Sequence, residues 1–338
     1  MTDEQNAATT SPDHTPVMLA DVQNVLGDIS GCQVIDATFG AGGYSGAFLD
    51  AGARVIAFDR DPDALPRMNE MKARSGDQFE FHHAPFSQMA DFVPSQSIDA
   101  IVFDVGVSSM QFDQAERGFS FRFDGPLDMR MAQAGPSAAD LINTLPRADL
   151  TRIIGILGGE KQASRISAEI VERRAKQPFA TTSQLVAAVE AVVKRRHDDK
   201  IHPATKTFQA LRVLVNDELR ELARALFAAE KLLKPGGILA VVSFHSLEDK
   251  IVKQFLAARS GGTGVSRYAP QGAANAPIFN IPKFKVIAVS DEEARENPRA
   301  RSAKLRMGIR TSAEAGAVDF TIFKFARLPW IDASGVQS

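Results

Sequence analysis

The sequence predicts a doubly wound α/β fold, a mostly parallel sheet interrupted by an all-helical insert. Three observations predict it. Short β-branched apolar runs alternate with helix-length stretches through the first 104 residues. The pattern then stops for about 100 residues. It resumes at LKPGGILAVVSF, where a Pro-Gly-Gly turn leads into another apolar run. Parallel strands need crossover connections, and strands buried on both faces read as continuous apolar runs.

The predicted strands are residues 34–38 (VIDAT), 54–58 (RVIAF), 79–81, 98–104 (IDAIVFD) and 238–243. Two last strands are predicted over 285–289 and 305–310. Residues 104–131 have no clear period but many Gly, Asp, Arg and Phe, and a structureless stretch this long is read as functional or disordered. From about 137 to 217 the pattern is helical. Thr181 and Gln184 fit a capping box. Phe208, Leu211, Val215, Leu219, Leu222 and Leu226 recur at helical spacing and are read as core. The organisation expected is a tail over 1–13, a discontinuous α/β domain over 14–111 and 218–312, a helical insert over 112–217, and an extension over 313–338.

The 338 residues, 44% hydrophobic and 24% charged, support a packed core. No apolar run approaches the roughly 18 residues that span a bilayer. The polar start MTDEQNAATTSPDHTP has no apolar leader segment, so a cytoplasmic protein is expected. The single cysteine, Cys32, excludes an internal disulfide framework and a CxxC-type zinc site; no metal site is expected. A net charge of -2 argues against a uniformly basic coat but leaves room for a local basic patch.

The segment DATFGAGGYSG, residues 36–46, sits where the first strand turns into a helix. Gly40, Gly42 and Gly43 allow close approach of backbone to a ligand, and ligands of open α/β sheets bind beyond the carboxyl ends of the strands. Asp59 ends the second strand, where a carboxylate can accept both ribose hydroxyls. NAD-binding enzymes also use such loops. Three features favour S-adenosylmethionine (SAM) instead. Ser45 stands where the third glycine of G-x-G-x-x-G would be. Asp36 precedes the loop and suits the cationic methionyl end. LKPGG before a late strand is habitual in class I methyltransferases.

The ordered segments HTPVML (14–19), DATFGAGGYSG, AFDRDPDA (57–64) and FDVGVSSMQFDQAERGFSFRFDGPLDMRM (103–131) resemble the ribosomal RNA small-subunit methyltransferase H family, also called MraW. So do GGEKQASRIS (158–167), HPATKTFQALRVLVNDEL (202–219), LKPGGILAVVSFHSLEDKIVK (233–253) and NPRARSAKLR (297–306). The resemblance covers roughly residues 12–310. It implies a class I SAM-dependent methyltransferase fold and N4-methylation of a cytosine of 16S rRNA, at the position customarily numbered 1402, in the decoding region. Carried over by motif, the SAM contacts are Gly42, Gly43, Tyr44, Asp59, Phe86, Asp104 and Gln111. This chain has Tyr44 where the family usually has His, so a backbone contact is expected there. The RNA partner is expected in the small ribosomal subunit; monomer and homodimer both stay open.

Asp104 ends the fourth strand, where the methyl acceptor of such folds lies, and is read as catalytic. His245, after the fifth strand, is read as lining the same rim and as the second catalytic candidate, with Ser243 and Ser246 as weaker candidates and His14 as a residue folding over the site. His82 and His83, adjacent on a strand, point to opposite faces and are read as structural. RNA-phosphate contacts are expected from Arg299, Arg301, Lys304, Arg306 and Arg310. Lys194, Arg195 and Arg196 form a second candidate group, and Lys206 and Arg212 a third. Methylation at cytosine C5 normally needs an attacking cysteine; Cys32, before the first strand, is remote from the acceptor position. A methyltransferase of another RNA or of DNA is the alternative. A SAM-binding factor without turnover and a dehydrogenase are the more distant ones.

Overall fold

A computed structural model describes residues 16–194, 201–261, 276–282, 286–323, 330–332 and 335–337. His14, Arg195, Arg196, Lys285 and the expected 1–13 tail lie outside them. The main sheet is built from β1 (Gln33–Asp36), β2 (Arg54–Asp59), β3 (Phe79–His83), β4 (Ile98–Asp104), β5 (Leu233–Ser243), β6 (Phe279–Asn280), β7 (Ile287–Ala288) and β8 (Lys304–Arg310). Its order is β3-β2-β1-β4-β5-β8-β6, with β7 also paired to β8. The first five are parallel, and β8 runs antiparallel to β5. Chain order reverses between β1 and β4, the switch point where ligands of such sheets bind.

The helices are α1 (Leu19–Leu26), α2 (Gly43–Asp50), α3 (Leu65–Ser75), α4 (Met89–Phe92), α5 (Ser109–Asp113), α6 (Ala138–Thr144), α7 (Arg147–Ile156), α8 (Ala163–Lys176), α9 (Thr182–Val192), α10 (Thr205–Val215), α11 (Glu218–Leu232), α12 (Ser246–Arg259) and α13 (Asp291–Glu296). Helices α5 to α11 fill the stretch between β4 and β5, two strands that pair directly. One apolar core runs from Ile35, Phe58, Ile101 and Phe103 of the sheet through Leu222 and Leu226 of α11. It continues to Leu211 of α10, Ile153 of α7 and Leu185 of α9.

Most sequence expectations hold with shifted ends. The capping box at Thr181 is present, with Gln184 N–H donating to Thr181 Oγ1 at 3.4 Å and Thr181 N–H donating to Gln184 Oε1 at 3.1 Å. The helical stripe from Phe208 to Leu226 lies on two helices. The chain breaks at Asn216 and Asp217, where Asp217 takes a left-handed backbone (φ 47). The Lys234–Gly237 turn is absorbed into β5 as a bulge: Ile98 pairs with Leu233 and Ala100 with Ile238. Extra residues on one strand opposite few on its partner make such a bulge, and Pro and Gly suit it.

Strand β6 carries no pattern that a two-residue strand could show. Residues 104–131, expected as a loop, contain α5 and a 3-10 turn at Ala115–Arg117. Within the described part of the C-terminal extension, Phe323 is buried against Phe227, ring centroids 5.9 Å apart. No helix among the described residues is long and apolar enough to cross a membrane.

Candidate methyl-transfer site

The site begins with strand register. Asp36, the last residue of β1, pairs with Ala57 of β2 and Val102 of β4. Both neighbours run two residues farther, so Asp59 and Asp104 flank the tip of β1 from either side. The glycine loop rises between them. Gly40 N–H donates to Asp59 Oδ2 at 2.7 Å, and Asp61 N–H donates to Asp59 Oδ1 at 2.8 Å. Two backbone donors thus aim the carboxylate, and each oxygen keeps a lone pair for a ligand hydroxyl. Burial raises the Asp59 pKa.

Gly42 precedes α2 in a left-handed conformation (φ 82), and a Cβ there would lie 2.8 Å from Met71 Cε and 2.9 Å from the Phe39 ring. Only glycine meets both demands. Gly43 opens α2, whose N-cap Gly42 brings no side-chain cap, and a helix N-terminus of this kind suits an anionic group. Tyr44 faces away from the loop. It is 3% exposed, its hydroxyl donates to the Val17 carbonyl, and its ring packs on Phe48. Its side chain therefore anchors the segment before α1, and only its backbone belongs to the loop.

Asp36 is a correction. The sequence reading aimed it at a cationic ligand, but it is fully buried. Its Oδ2 accepts from Ser45 Oγ–H at 2.7 Å and its Oδ1 from Thr38 N–H at 3.2 Å. It ties the strand tip to the first turn of α2, which is also why Ser45 replaces a glycine. Burial pushes its carboxyl up to about 6.

Asp104 N–H donates to Thr38 Oγ1 at 2.7 Å. Its Oδ1 is buried with no hydrogen-bond partner among the described residues. Burial, then the charges of Asp36, Glu248 and Glu293, push its carboxyl well above the usual range. Phe86 is partly buried and meets Phe103 edge-on, ring centroids 5.6 Å apart.

Gln111 is held by groups of the chain itself. It completes a capping box for α5, with its N–H donating to Ser108 Oγ at 3.2 Å and its Oε1 accepting from Ser108 N–H at 3.0 Å. Its Nε2 donates to Asp61 Oδ2. Its amide therefore ties the loop after β4 to the tip of β2. The sequence reading missed the centre of this network, Arg117. Its guanidinium donates to Asp61 Oδ1 and Oδ2 at 3.2 and 3.0 Å, to Asp63, and to the carbonyls of Arg130 and Met131 at 3.0 Å each. The side chains of Arg117 and Asp61 are 8% and 6% exposed. Aspartates two and four residues after Asp59 and an arginine in a loop were the available signal, but no spacing rule joins them.

His245 is a helix cap: its Nδ1 accepts from Glu248 N–H at 3.4 Å. Glu248 Oε2 in return accepts from the N–H groups of Phe244 and His245 at 2.9 and 3.1 Å. The atoms His245 Nε2 and Glu248 Oε1 are 3.0 Å apart but not aligned as a hydrogen bond. Ligand-type atoms of Glu218, His245 and Glu248 lie within 4.8 Å of one another. Arg212 forks onto Glu218 at 2.8 and 2.9 Å. Positive charge at this cluster is thus already supplied by the chain. Ser243 Oγ–H donates to the Lys304 carbonyl at 3.4 Å, and Ser246 begins α12.

A model of the MraW methylase family matches residues 11–311. The chain belongs to the MraW methylase family. It is 55% identical over 315 residues to the ribosomal RNA small subunit methyltransferase H of Sinorhizobium fredii, covering 93% of this chain and 92% of that protein. It is 53% identical over 333 residues to the enzyme of the same name from Mesorhizobium japonicum, covering 98% of each. The Rhizobium meliloti relative is 52% identical over 333 residues, covering 97% of this chain and 98% of that protein.

In this MraW methylase the methyl donor is SAM, and the residues fit it. The uncapped start of α2 suits the methionyl carboxylate, the backbone-aimed Asp59 suits the ribose, and the orphaned oxygen of Asp104 suits a cationic neighbour. The candidate RNA-contact cations fare less evenly. Arg299 pairs with Asp113 and Arg306 with Asp249. Arg310 is buried, donating to the Glu230 and Thr311 carbonyls at 2.9 Å each. Arg212 is taken by Glu218, and Lys206 lies 3.8 Å from Glu160. Arg301 and Lys194 remain exposed. His82 stacks on Phe58, and His83 Nε2 sits 3.2 Å from the Arg60 carbonyl.

Breaking a buried ion pair leaves an uncompensated charge and costs about 3–5 kcal/mol. Arg117→Ala is therefore expected to lower the unfolding free energy by about that amount in urea titrations; an unchanged midpoint would show that the clamp holds nothing. Asp36 titrates with a folded pKa above its unfolded one. It stabilises the fold below the unfolded value of about 4, and that contribution is lost as pH rises through about 6. Relative to Asp36→Asn, the wild type should lose about 2 kcal/mol between pH 4 and pH 7. A flat difference across that window would remove Asp36 as the titrating group.

Proposed function

We propose that this chain transfers the methyl group of SAM to the exocyclic N4 of a cytosine in 16S rRNA, at the position customarily numbered 1402, with Asp104 holding the amine. The coarser statement, a methyltransferase of small-subunit ribosomal RNA, rests on family membership and on relatives of that name at 52–55% identity over nearly the full chain. The finer one is carried by a single observation: a carboxylate oxygen, buried and unpartnered, at the tip of β4 beside the glycine loop.

Bound SAM presents a methyl group on a positively charged sulfur. That charge would draw the raised pKa of Asp104 back toward the carboxylate. The carboxylate can then accept an N4–H, orient the amine, and take the proton that the nitrogen must release. A neutral exocyclic amine needs no covalent intermediate. The lone cysteine could not supply one: Cys32 precedes β1, roughly 13 Å along the strand from its ligand-binding tip. His245, a helix cap beside Asp104's neighbour Glu248, acts in this reading by positioning the rim.

The segment 112–217 is read as the RNA-recognition element, inserted into a methyltransferase domain over 14–111 and 218–312. A base inside folded RNA must be turned out to reach the tip of β4. The substrate is read as the cytoplasmic small ribosomal subunit.

The test is methyl incorporation into 30S subunits, with the modified nucleoside identified by mass spectrometry. Asp104→Ala should lower turnover by about 10²-fold or more while the folded protein persists. Wild-type turnover should fall as pH drops far enough to protonate Asp104 in the SAM-bound enzyme, and Asp104→Asn should lack that limb. Near-normal turnover in Asp104→Ala, or a product methylated on carbon, would refute the assignment.

A further inference from the structure

The loop between α5 and α6 carries three phenylalanines at alternate positions, and they meet different fates. Phe119 is buried, 5.8 Å from the Arg117 guanidinium. Phe121 packs on the His202 ring at 4.7 Å and on Phe208 at 5.0 Å. Phe123 is 68% exposed, more than any other large exposed hydrophobic side chain described. Single exposed apolar residues are ordinary, so exposure alone decides nothing. The mounting decides more.

Both sides of Phe123 are fixed. Thr182 N–H donates to the Gly125 carbonyl at 2.9 Å, Leu127 N–H to the Ala180 carbonyl at 2.9 Å, and Ser183 N–H to Asp124 Oδ1 at 3.0 Å. A Cβ at Gly125 would lie 2.0 Å from the Ala115 carbonyl oxygen, so the turn is packed against its own start. At the near end the Arg117 clamp ties the same loop to the tip of β2. Six residues separate Arg117 from Phe123, at most about 20 Å of chain. The ring therefore stands on a rigid arm that starts at the methyl-transfer site. Beside it, Arg122 is exposed and has no ion-pair partner among the described residues. The Asp124 carboxylate is turned into the start of α9 by Ser183 and Thr182.

An aromatic face held out of the protein loses little freedom on stacking. An adjacent guanidinium complements a phosphate. We propose that Phe123 stacks on an unpaired nucleobase flanking the target, with Arg122 on the neighbouring phosphate. This deepens the ribosomal RNA reading and rests on it.

The full-length chain, 30S subunits and radiolabelled SAM test it, with Phe123→Ala, Phe123→Leu, Phe123→Trp and Arg122→Ala compared. Phe123→Ala should raise the KM for 30S subunits by about 5- to 150-fold, the range of one stacked base. Phe123→Trp should restore it, Phe123→Leu should not, and Arg122→Ala should lower the salt slope of binding by about one. SAM affinity by calorimetry and the melting temperature should not move. An unchanged KM in Phe123→Ala, full rescue by Phe123→Leu, or a shift in sedimentation in place of KM (a contact between copies of the chain) would overturn the stacking role. A wild type that methylates no 30S subunits would instead sink the ribosomal RNA reading itself.

Discussion

The buried pairing of Arg117 with Asp61 is the constraint on which the rest of the site depends. One guanidinium gathers two carboxylates and two backbone carbonyls from separate segments. It joins the strand tip that aims Asp59 to the loop that carries Ser108, Gln111 and Phe123. Arginine suits this task because its planar fork donates in several fixed directions and stays charged. Desolvating it is costly, so it persists only with every donor near an acceptor. The result is a loop without regular secondary structure over much of its length that is nonetheless fixed at both ends.

Carboxylates crowd this edge of the sheet, and their environments separate their roles. Asp36 is satisfied by Ser45 and Thr38 and serves the fold. Asp59 is aimed by two backbone donors and keeps lone pairs outward. Asp61 is spent on Arg117 and Gln111. Asp104 alone of these four keeps a buried oxygen without a partner among the described residues, which is where a ligand contributes most. The same residue type thus does three kinds of work at the tips of neighbouring strands.

The strands and the glycine loop were legible because local chemistry dictates them. β-branched runs specify buried strands, and glycine is demanded wherever a Cβ collides, as at Gly42. Thr181 with Gln184 was legible for the same reason, being a contact between residues three apart. The unnoticed box at Ser108 and Gln111 has the same spacing, but no apolar helix follows to announce it. The basic stretch near the C-terminus shows a different limit of sequence reading. Its charges look free in sequence, yet Asp113 and Asp249, far away along the chain, neutralise Arg299 and Arg306.

The sequence alone determined the α/β alternation, the cofactor loop, the carboxylates at the strand ends and the family resemblance, since each depends on short-range spacing. Only the tertiary structure decided that Asp36 faces inward, that His245 caps a helix, and that Arg117 clamps the loop. It also decided that one core joins the sheet to the helices between β4 and β5. Those outcomes depend on which distant groups remain available once apolar surface is buried, because a charge removed from water must find its partner wherever the packing brings one.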